Sequence, residues 1–124
     1  MRFLPTRIHG LVDYLWGAAL LSAPWLLGFA DVTAAKWVAV VFGAGAFLYS
    51  IVTDYELGLV RLLPMPLHLA VDGVGGALLA LSPWLFGFSG EVAWPYVAFG
   101  LFSVAASLIT RTDPLQPSGR HRPA

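Results

Sequence analysis

The sequence predicts an all-α protein, a four-helix transmembrane bundle made of two tandem helical hairpins that are related by a pseudo-two-fold axis along the membrane normal. The composition gives the first indication, because 58% of the 124 residues are hydrophobic and 11% are charged, with a mean hydropathy of +0.75. A soluble domain usually has about 25% charged residues. Four long apolar stretches and an internal repeat give the other two indications.

The four apolar stretches are long enough to cross a hydrocarbon layer about 30 Å thick. The predicted spans are residues 8–30, 37–53, 67–88 and 94–110. Each span is expected to be helical, because lipid offers no hydrogen-bonding partner to backbone N–H and C=O groups. The first and third spans carry one carboxylate each, Asp13 and Asp72, and the other two carry no charge. The chain is therefore expected to be a multi-pass protein of the cell membrane, with the lipid bilayer around it.

The chain repeats itself when it is shifted by 59 positions, and residues 2–54 then align with 61–113 without a gap. The aligned identities include Pro5 with Pro64, His9 with His68, Asp13 with Asp72, Gly17 with Gly76, and Thr53-Asp54 with Thr112-Asp113. We therefore predict a first hairpin repeat over residues 1–60, a second over 61–113, and a disordered cytoplasmic tail over 114–124. Two crossings per repeat bring both copies into the membrane from the same side, which predicts the pseudo-two-fold axis.

The distribution of cations predicts the orientation in the membrane. Six arginines fall on the side shared by the N-terminus, the central loop and the C-terminus, whereas Lys36 falls on the other side. These arginines are Arg2, Arg7, Arg61, Arg111, Arg120 and Arg122. Because loops rich in Lys and Arg stay in the cytoplasm, both termini are predicted to be cytoplasmic.

A Pro-Trp pair followed by glycine marks the predicted outer end of the first and third spans. The two copies are Ser22-Ala23-Pro24-Trp25 with Gly28, and Ser82-Pro83-Trp84 with Gly87. Proline bends or ends a helix, tryptophan suits the lipid headgroup region, and glycine supplies the turn that closes a helix. We interpret the motif as structural, with a binding site as the alternative.

The two copies resemble the SPW-repeat family of small membrane proteins, which is named for a Ser-Pro-Trp near the end of the first of two helices in each repeat. The resemblance covers nearly the whole chain. The first copy departs from the family motif, because Ala23 stands where the motif has serine. The resemblance implies a membrane location and a repeated hairpin, and it implies no particular activity.

Two His/Asp pairs are the polar residues with the clearest pattern. His9 and Asp13 are four residues apart, as are His68 and Asp72, so each pair shares one helix face. Asp13 lies roughly 7 to 8 Å inside the cytoplasmic edge of its span, at 1.5 Å per helical residue. A carboxylate at that depth usually faces the bundle interior, so the two pairs are predicted to face each other in one cluster. Small residues that would allow such close helix packing include Gly17, Gly43, Gly73, Gly76, Gly100, Ser103 and Ser107.

Several roles fit this cluster. The simplest is a structural clamp, in which each aspartate accepts a hydrogen bond from its own or the opposite histidine. The alternatives are a proton relay or substrate site of a small transporter, a divalent metal ion held by two imidazoles and two carboxylates, or a haem held between two histidines. We favour the clamp and predict neither a metal ion nor a cofactor.

Charged residues at the cytoplasmic ends of the spans are predicted to form interfacial ion pairs. Asp54 and Asp113 follow the second and fourth spans, where a carboxylate opposes the helix dipole and requires a cation. Arg2, Arg7 or Arg61 is the predicted partner, and the prolines three positions after Arg2 and Arg61 suit the start of a helix.

The remaining features argue against other classes of function. The formal net charge is zero, so no basic surface is available for nucleic acid. The sequence has no cysteine, and it contains no Ser-His-Asp order, Gly-rich phosphate loop or His-Glu-x-x-His motif. We therefore predict that the protein is not an enzyme but a structural or partner-binding subunit, whose partner is a second copy or another membrane protein.

Overall fold

The computed structural model describes residues 2–112 and contains four α-helices, one for each predicted span. The helices are α1 (Thr6–Leu26), α2 (Thr33–Ile51), α3 (Met65–Leu85) and α4 (Trp94–Ile109). Within the described residues there is no β-strand, which confirms the all-α prediction. The first and third predicted spans extend beyond the observed ends of α1 and α3. Asp113 and the predicted tail at 114–124 lie outside the described residues.

Glycine turns end α1 and α3 earlier than predicted. Gly28 and Gly87 have positive φ angles of 78° and 75°, a conformation that glycine adopts without strain. The N–H of Phe29 donates to the carbonyl of Pro24 at 2.8 Å, and a bond of the same length closes α3. This six-residue closure is the Schellman motif. The prediction that the two glycines close the helices is confirmed.

Replacing Gly87 with alanine is therefore expected to lower the free energy of unfolding by about 1 to 2 kcal/mol, because a Cβ atom is disfavoured in the left-handed region. Thermal unfolding of the purified protein in detergent measures this change. Gly90→Ala in the same loop is the control, since its φ is not positive and an added Cβ meets no atom within 4 Å. Equal melting temperatures for the two variants would contradict the prediction.

Each hairpin is a tightly packed helix pair with glycines at the point of closest approach. A Cβ atom added to Gly43 in α2 would lie 2.9 Å from the carbonyl oxygen of Gly17 in α1. In the second hairpin, Gly100 approaches the carbonyl oxygen of Gly76 in the same way. Contacts between the hairpins, from α1 to α4 and from α2 to α3, are much sparser. The hairpin is therefore the packing unit, as small residues at the helix interface suggest.

The observed register corrects the gapless alignment. Gly17 and Gly76 are 59 residues apart, as predicted, but their packing partners Gly43 and Gly100 are 57 residues apart. The second hairpin is thus two residues shorter between its helices. The alignment of Thr53 with Thr112 is wrong, because the residue that corresponds to Thr53 is Thr110, directly after α4 and two positions earlier.

The two hairpins meet at both ends of the bundle. At the inner end, which holds residues 2–5 and 52–64, Leu4 forms an isolated parallel bridge with Thr110, and Leu63 forms one with Thr53. The start of each hairpin therefore pairs with the end of the other. At the outer end, a hydrophobic core includes Leu20 and Leu79, and the hydroxyl of Tyr96 donates to a backbone carbonyl of α2.

Two of the four helices in the described part of the chain, α2 and α3, are long and apolar enough to cross a membrane. The helix α4 is apolar but shorter, with 16 residues. The helix α1 is 21 residues long and carries a buried carboxylate, Asp13. Length and composition thus support two of the four predicted spans directly.

Candidate functional site

The structure brings all four side chains of the two predicted His/Asp pairs together. His9 and Asp13 of α1 and His68 and Asp72 of α3 form what we call the His-Asp cluster. One nitrogen or oxygen atom from each residue lies within 4.8 Å of the others. All four residues are buried, with exposed fractions from 0 to 9%. The cluster therefore lies between the two hairpins, near their inner end.

The shortest contacts of the His-Asp cluster cross from one hairpin to the other. His9 Nε2 is 2.8 Å from Asp72 Oδ2, and His68 Nε2 is 2.8 Å from Asp13 Oδ2. The contacts within each helix are longer, at 3.1 Å in α1 and 3.3 Å in α3. Each aspartate therefore binds both histidines, with the closer contact to the opposite hairpin.

Two threonines orient the histidine rings. His9 Nδ1 is 2.6 Å from the hydroxyl oxygen of Thr110, at the end of α4. His68 Nδ1 is also 2.6 Å from the hydroxyl oxygen of Thr53, after α2. The gapless repeat hides this equivalence, and an alignment with a two-residue gap in the outer loop would have revealed it.

The threonine hydroxyls also determine which ring nitrogen carries a hydrogen. Thr53 donates its single hydroxyl hydrogen to the carbonyl of Tyr49 at 2.6 Å, and Thr110 donates to the carbonyl of Ala106 at 2.6 Å. Each threonine oxygen is therefore the acceptor for its histidine, and both Nδ1 atoms are N–H donors. The other ring nitrogen of each histidine, Nε2, faces a carboxylate oxygen.

Two tyrosines complete the hydrogen bonding of the carboxylates. The hydroxyl of Tyr49 in α2 donates to Asp72 Oδ1, and the hydroxyl of Tyr55 donates to Asp13 Oδ2 at 3.3 Å. Tyr55 lies in the inner loop, where burial and the nearby Asp13 raise the pKa of its phenol well above the usual value. Tyr55 therefore stays a hydrogen-bond donor. Neither tyrosine has a counterpart in the second hairpin, so the repeat pattern gave no signal for them.

There is little free space where His9, Asp13 and Asp72 lie together. The adjoining cavity, which His9, Asp13 and Asp72 help to line, has a volume of about 10 Å³. That volume holds about one water molecule. A porphyrin does not fit between the two histidines, so the haem hypothesis is not supported.

Larger grooves lie on the sides of the bundle between the hairpins. The groove between α1 and α4 measures about 380 Å³, and the one between α2 and α3 about 310 Å³. Trp16 lines both grooves, and its indole N–H donates to the carbonyl of Phe99 at 3.1 Å. Gly75 occupies the equivalent position in α3, so the α2/α3 groove reaches Asp72. Both grooves are mostly apolar in their lining.

A family model for the SPW repeat domain matches residues 7–110, which include all of α2, α3 and α4 and nearly all of α1. The chain belongs to the SPW repeat family. The family resemblance predicted from the two Pro-Trp motifs is confirmed. Searches of curated proteins and of solved structures gave no significant match. The name first SPW repeat denotes the hairpin of α1 and α2, and second SPW repeat denotes the hairpin of α3 and α4.

The Pro-Trp motif has a structural explanation in both SPW repeats. Pro24 and Pro83 are buried near the ends of α1 and α3, whereas Trp25 and Trp84 expose 60% and 58% of their surface. The hydroxyl of Ser82 donates to a carbonyl one turn earlier in its own helix, at 2.6 Å. The motif serine thus needs no external ligand, which explains why alanine is accepted in the first SPW repeat.

The arginines at the inner end contact backbone carbonyls. The guanidinium of Arg2 donates to the carbonyls of Ser107 at 2.7 Å and Thr110 at 2.9 Å, at the end of α4 in the second SPW repeat. This places a cation at the negative end of the helix dipole. Arg61 donates to two carbonyls of its own loop. Ion pairs of these arginines with Asp54 stay a prediction.

Proposed function

We propose that this SPW repeat protein is a non-enzymatic, multi-pass protein of the cell membrane, and that the His-Asp cluster clamps its two repeats together inside the bilayer. Its role is that of a structural or partner-binding subunit. The observation that carries this proposal is the closed cluster itself, whose four side chains bind one another and leave room for about one water molecule.

The outer surface of the helices supports the membrane location. All four helices expose large aliphatic side chains along their length, while the carboxylates within α1 and α3 are buried. These exposed side chains include Leu11, Leu15, Val41, Leu48, Val74, Leu78, Leu101 and Leu108. A soluble monomer rarely exposes an apolar surface of this extent. Lipid is the solvent that suits such a surface, and this supports the proposal that all four helices span the membrane.

The paired contacts support a pseudo-two-fold axis along the membrane normal. The contact of His9 with Asp72 corresponds to that of His68 with Asp13, and the two inner-end bridges correspond in the same way. With both repeats entering from one side, the arginine-rich inner end is cytoplasmic and Lys36 lies outside. Both termini are then cytoplasmic.

The clamp joins the two repeats in the inner half of the bundle, whereas the hydrophobic core around Leu20 and Leu79 joins them at the outer end. Helices pack tightly within each repeat but sparsely between repeats. An interhelical hydrogen bond in a membrane contributes about 0.6 kcal/mol on average, and losing a partner for a buried charged group costs considerably more. The apolar grooves on the sides of the bundle are where a second copy or another membrane protein would pack.

Single cysteines test the proposed topology, since the natural chain has none. A membrane-impermeant maleimide added to intact cells is expected to label Gly90→Cys in the outer loop but not Leu59→Cys in the inner loop. Both should react after permeabilisation. The control is Val41→Cys at the middle of α2, which is 62% exposed to the surroundings. It should stay unlabelled in the bilayer, and rapid labelling there would refute a membrane-spanning α2.

A further inference from the structure

We propose that the His-Asp cluster is a tetrahedral binding site for one divalent transition metal ion of the Zn²⁺ class. The ligands are Nε2 of His9, Nε2 of His68, and one carboxylate oxygen from each of Asp13 and Asp72. This inference rests on the proposed clamp role of the same cluster, in which the ion would be the central link between the two repeats.

The distances between the candidate ligand atoms suit such an ion. To Oδ2 of Asp72, the distances are 2.8 Å from His9 Nε2 and 3.3 Å from His68 Nε2. Asp13 faces His68 Nε2 with Oδ2 at 2.8 Å and His9 Nε2 with Oδ1 at 3.1 Å, and one atom from each of the four residues lies within 4.8 Å of the others. In a tetrahedral site with metal-ligand bonds of about 2.0 Å, neighbouring ligand atoms are about 3.3 Å apart. The two shortest contacts need to lengthen by only about 0.5 Å to reach this spacing.

The histidine rings are oriented as metal ligands. Both Nδ1 atoms donate to a threonine oxygen, Thr110 for His9 and Thr53 for His68. Metal-binding histidines usually hold their second ring N–H in this way, which directs the lone pair of the other nitrogen to the ion. Without an ion or a proton, each Nε2 lone pair would face the lone pairs of carboxylate oxygens. Positive charge must therefore lie at the centre of the cluster.

One divalent ion supplies that charge in full. Two ionised aspartates and two neutral histidines carry a total charge of −2, so one M²⁺ gives a neutral site. Without metal, two protons on the Nε2-to-carboxylate contacts would give the same neutrality. Metal binding then releases these two protons to water, and the buried site avoids an uncompensated charge in either state.

Two tyrosine hydroxyls orient the carboxylates of Asp13 and Asp72 as metal ligands. Tyr49 donates to Asp72 Oδ1, which leaves Oδ2, the atom nearest to both histidines, free to bind the ion. Tyr55 donates to Asp13 Oδ2 at 3.3 Å, and Asp13 Oδ1, 3.1 Å from His9 Nε2, is then the oxygen available to the ion. Outer hydrogen bonds of this kind fix the ligands of metal sites and raise their affinity.

The ligand set and the enclosure define the class of metal. Two imidazoles with two carboxylates in four-fold coordination suit Zn²⁺, whereas Mg²⁺ and Ca²⁺ require six or more ligands, mostly oxygen. The cavity of about 10 Å³ beside His9 and Asp72 holds about one water molecule, and of the four ligand residues Asp72 alone lines the larger α2/α3 groove, so the two or more waters of a six-coordinate ion are not provided for. A site with four protein ligands and no open position is structural, in keeping with a protein that is not an enzyme.

The test uses the full-length chain without an affinity tag, purified in detergent and freed of metal with a chelator. Titration calorimetry with Zn²⁺ is expected to show one site per chain, and Co²⁺ in its place should give the intense visible bands of a tetrahedral ion. A wild-type protein that binds no stoichiometric Zn²⁺, or that gives only the weak bands of octahedral Co²⁺, would overturn the proposal. Both readouts use the wild type and do not depend on the folding of a variant.

Variants then locate the site. His68→Gln is expected to weaken Zn²⁺ binding by roughly 100-fold or more, and Thr53→Val, which removes only the ring-orienting hydroxyl, by about 10-fold to 100-fold. The matched control is His121→Gln, at the third histidine of the chain, which should bind as the wild type does. Equal affinity of His68→Gln and wild type would exclude the cluster as the site.

The same samples separate this inference from the clamp. If the wild type binds no metal while substitutions in the cluster lower its thermal stability, the metal site is refuted and the clamp is retained. If it binds Zn²⁺ at the cluster but Asp13→Asn/Asp72→Asn is as stable as the wild type without metal, the metal site is supported and the clamp is refuted. If Zn²⁺ raises the melting temperature and the metal-free double variant is less stable than the wild type, both are supported, because an ion that binds only the folded state stabilises it.

Discussion

Replacing both carboxylates of the His-Asp cluster, by Asp13→Asn and Asp72→Asn, is expected to lower the free energy of unfolding by about 3 to 5 kcal/mol. The amides can neither balance the charge of the histidines nor accept hydrogen bonds as carboxylates do. Since the hydrophobic core that joins the two repeats lies at the outer end, the inner half of the bundle should separate first. Unfolding of the purified protein by a denaturing detergent, followed by circular dichroism, measures the loss.

Asp31→Asn is the matched control for this double variant, because Asp31 is exposed in the outer loop of the first repeat. Its stability should equal that of the wild type. Proton flux in liposomes tests the transporter alternative, and wild-type liposomes are expected to leak no more than empty ones. A pH-dependent flux that disappears in a stable double variant would overturn the clamp in favour of proton transport.

Replacing Gly100 with alanine is expected to cost about 2 to 3 kcal/mol, the upper range for overpacking a tight interface. The added methyl group would lie 2.7 Å from Cβ of Ala80 and even closer to the carbonyl oxygen of Gly76. Backbone atoms cannot turn aside as a flexible side chain can, so α3 and α4 must move apart. The same detergent unfolding experiment measures the cost.

Alanine substitutions at two glycines of α2 give a scale for the loss of stability expected at Gly100 in α4. Gly45→Ala is the control, since its added methyl group meets no atom within 4 Å and alanine favours helix. Gly43→Ala should fall between the two, with its closest contact at 2.7 Å from the backbone nitrogen of Leu21. A Gly100→Ala variant as stable as Gly45→Ala would show that close packing within the second repeat does not limit stability.

Much of the architecture could be predicted from the sequence. Four apolar stretches predicted four helices, and the spacing of four residues between His9 and Asp13 predicted a shared helix face. Repetition of that spacing at His68 and Asp72 predicted that the two helix faces meet. The contact between His68 and Asp13 joins them in the structure. Helical periodicity and the cost of exposing a carboxylate to lipid are strong physical constraints. Both act within a single helix, so they can be recognised in the sequence of that helix.

The groups around the His-Asp cluster could not be predicted as readily. Thr110 was missed because the outer loop of the second repeat is two residues shorter, and a loop can lose residues without moving the helices it joins. Tyr49 and Tyr55 have no equivalent in the second repeat, so no internal comparison identifies them. Helix ends were also predicted too late, since the glycine turns end α1 and α3 before the apolar stretch does.

The crossed pairing of the two halves has a consequence for the ancestry of the protein. Neither half satisfies its own histidine, because the nearest carboxylate and the orienting threonine of His9 both come from the other half. A single-repeat chain could build the same arrangement only as a homodimer, with each subunit completing the other. Gene duplication and fusion would then have made a fixed pair out of two subunits that once had to find each other in the bilayer.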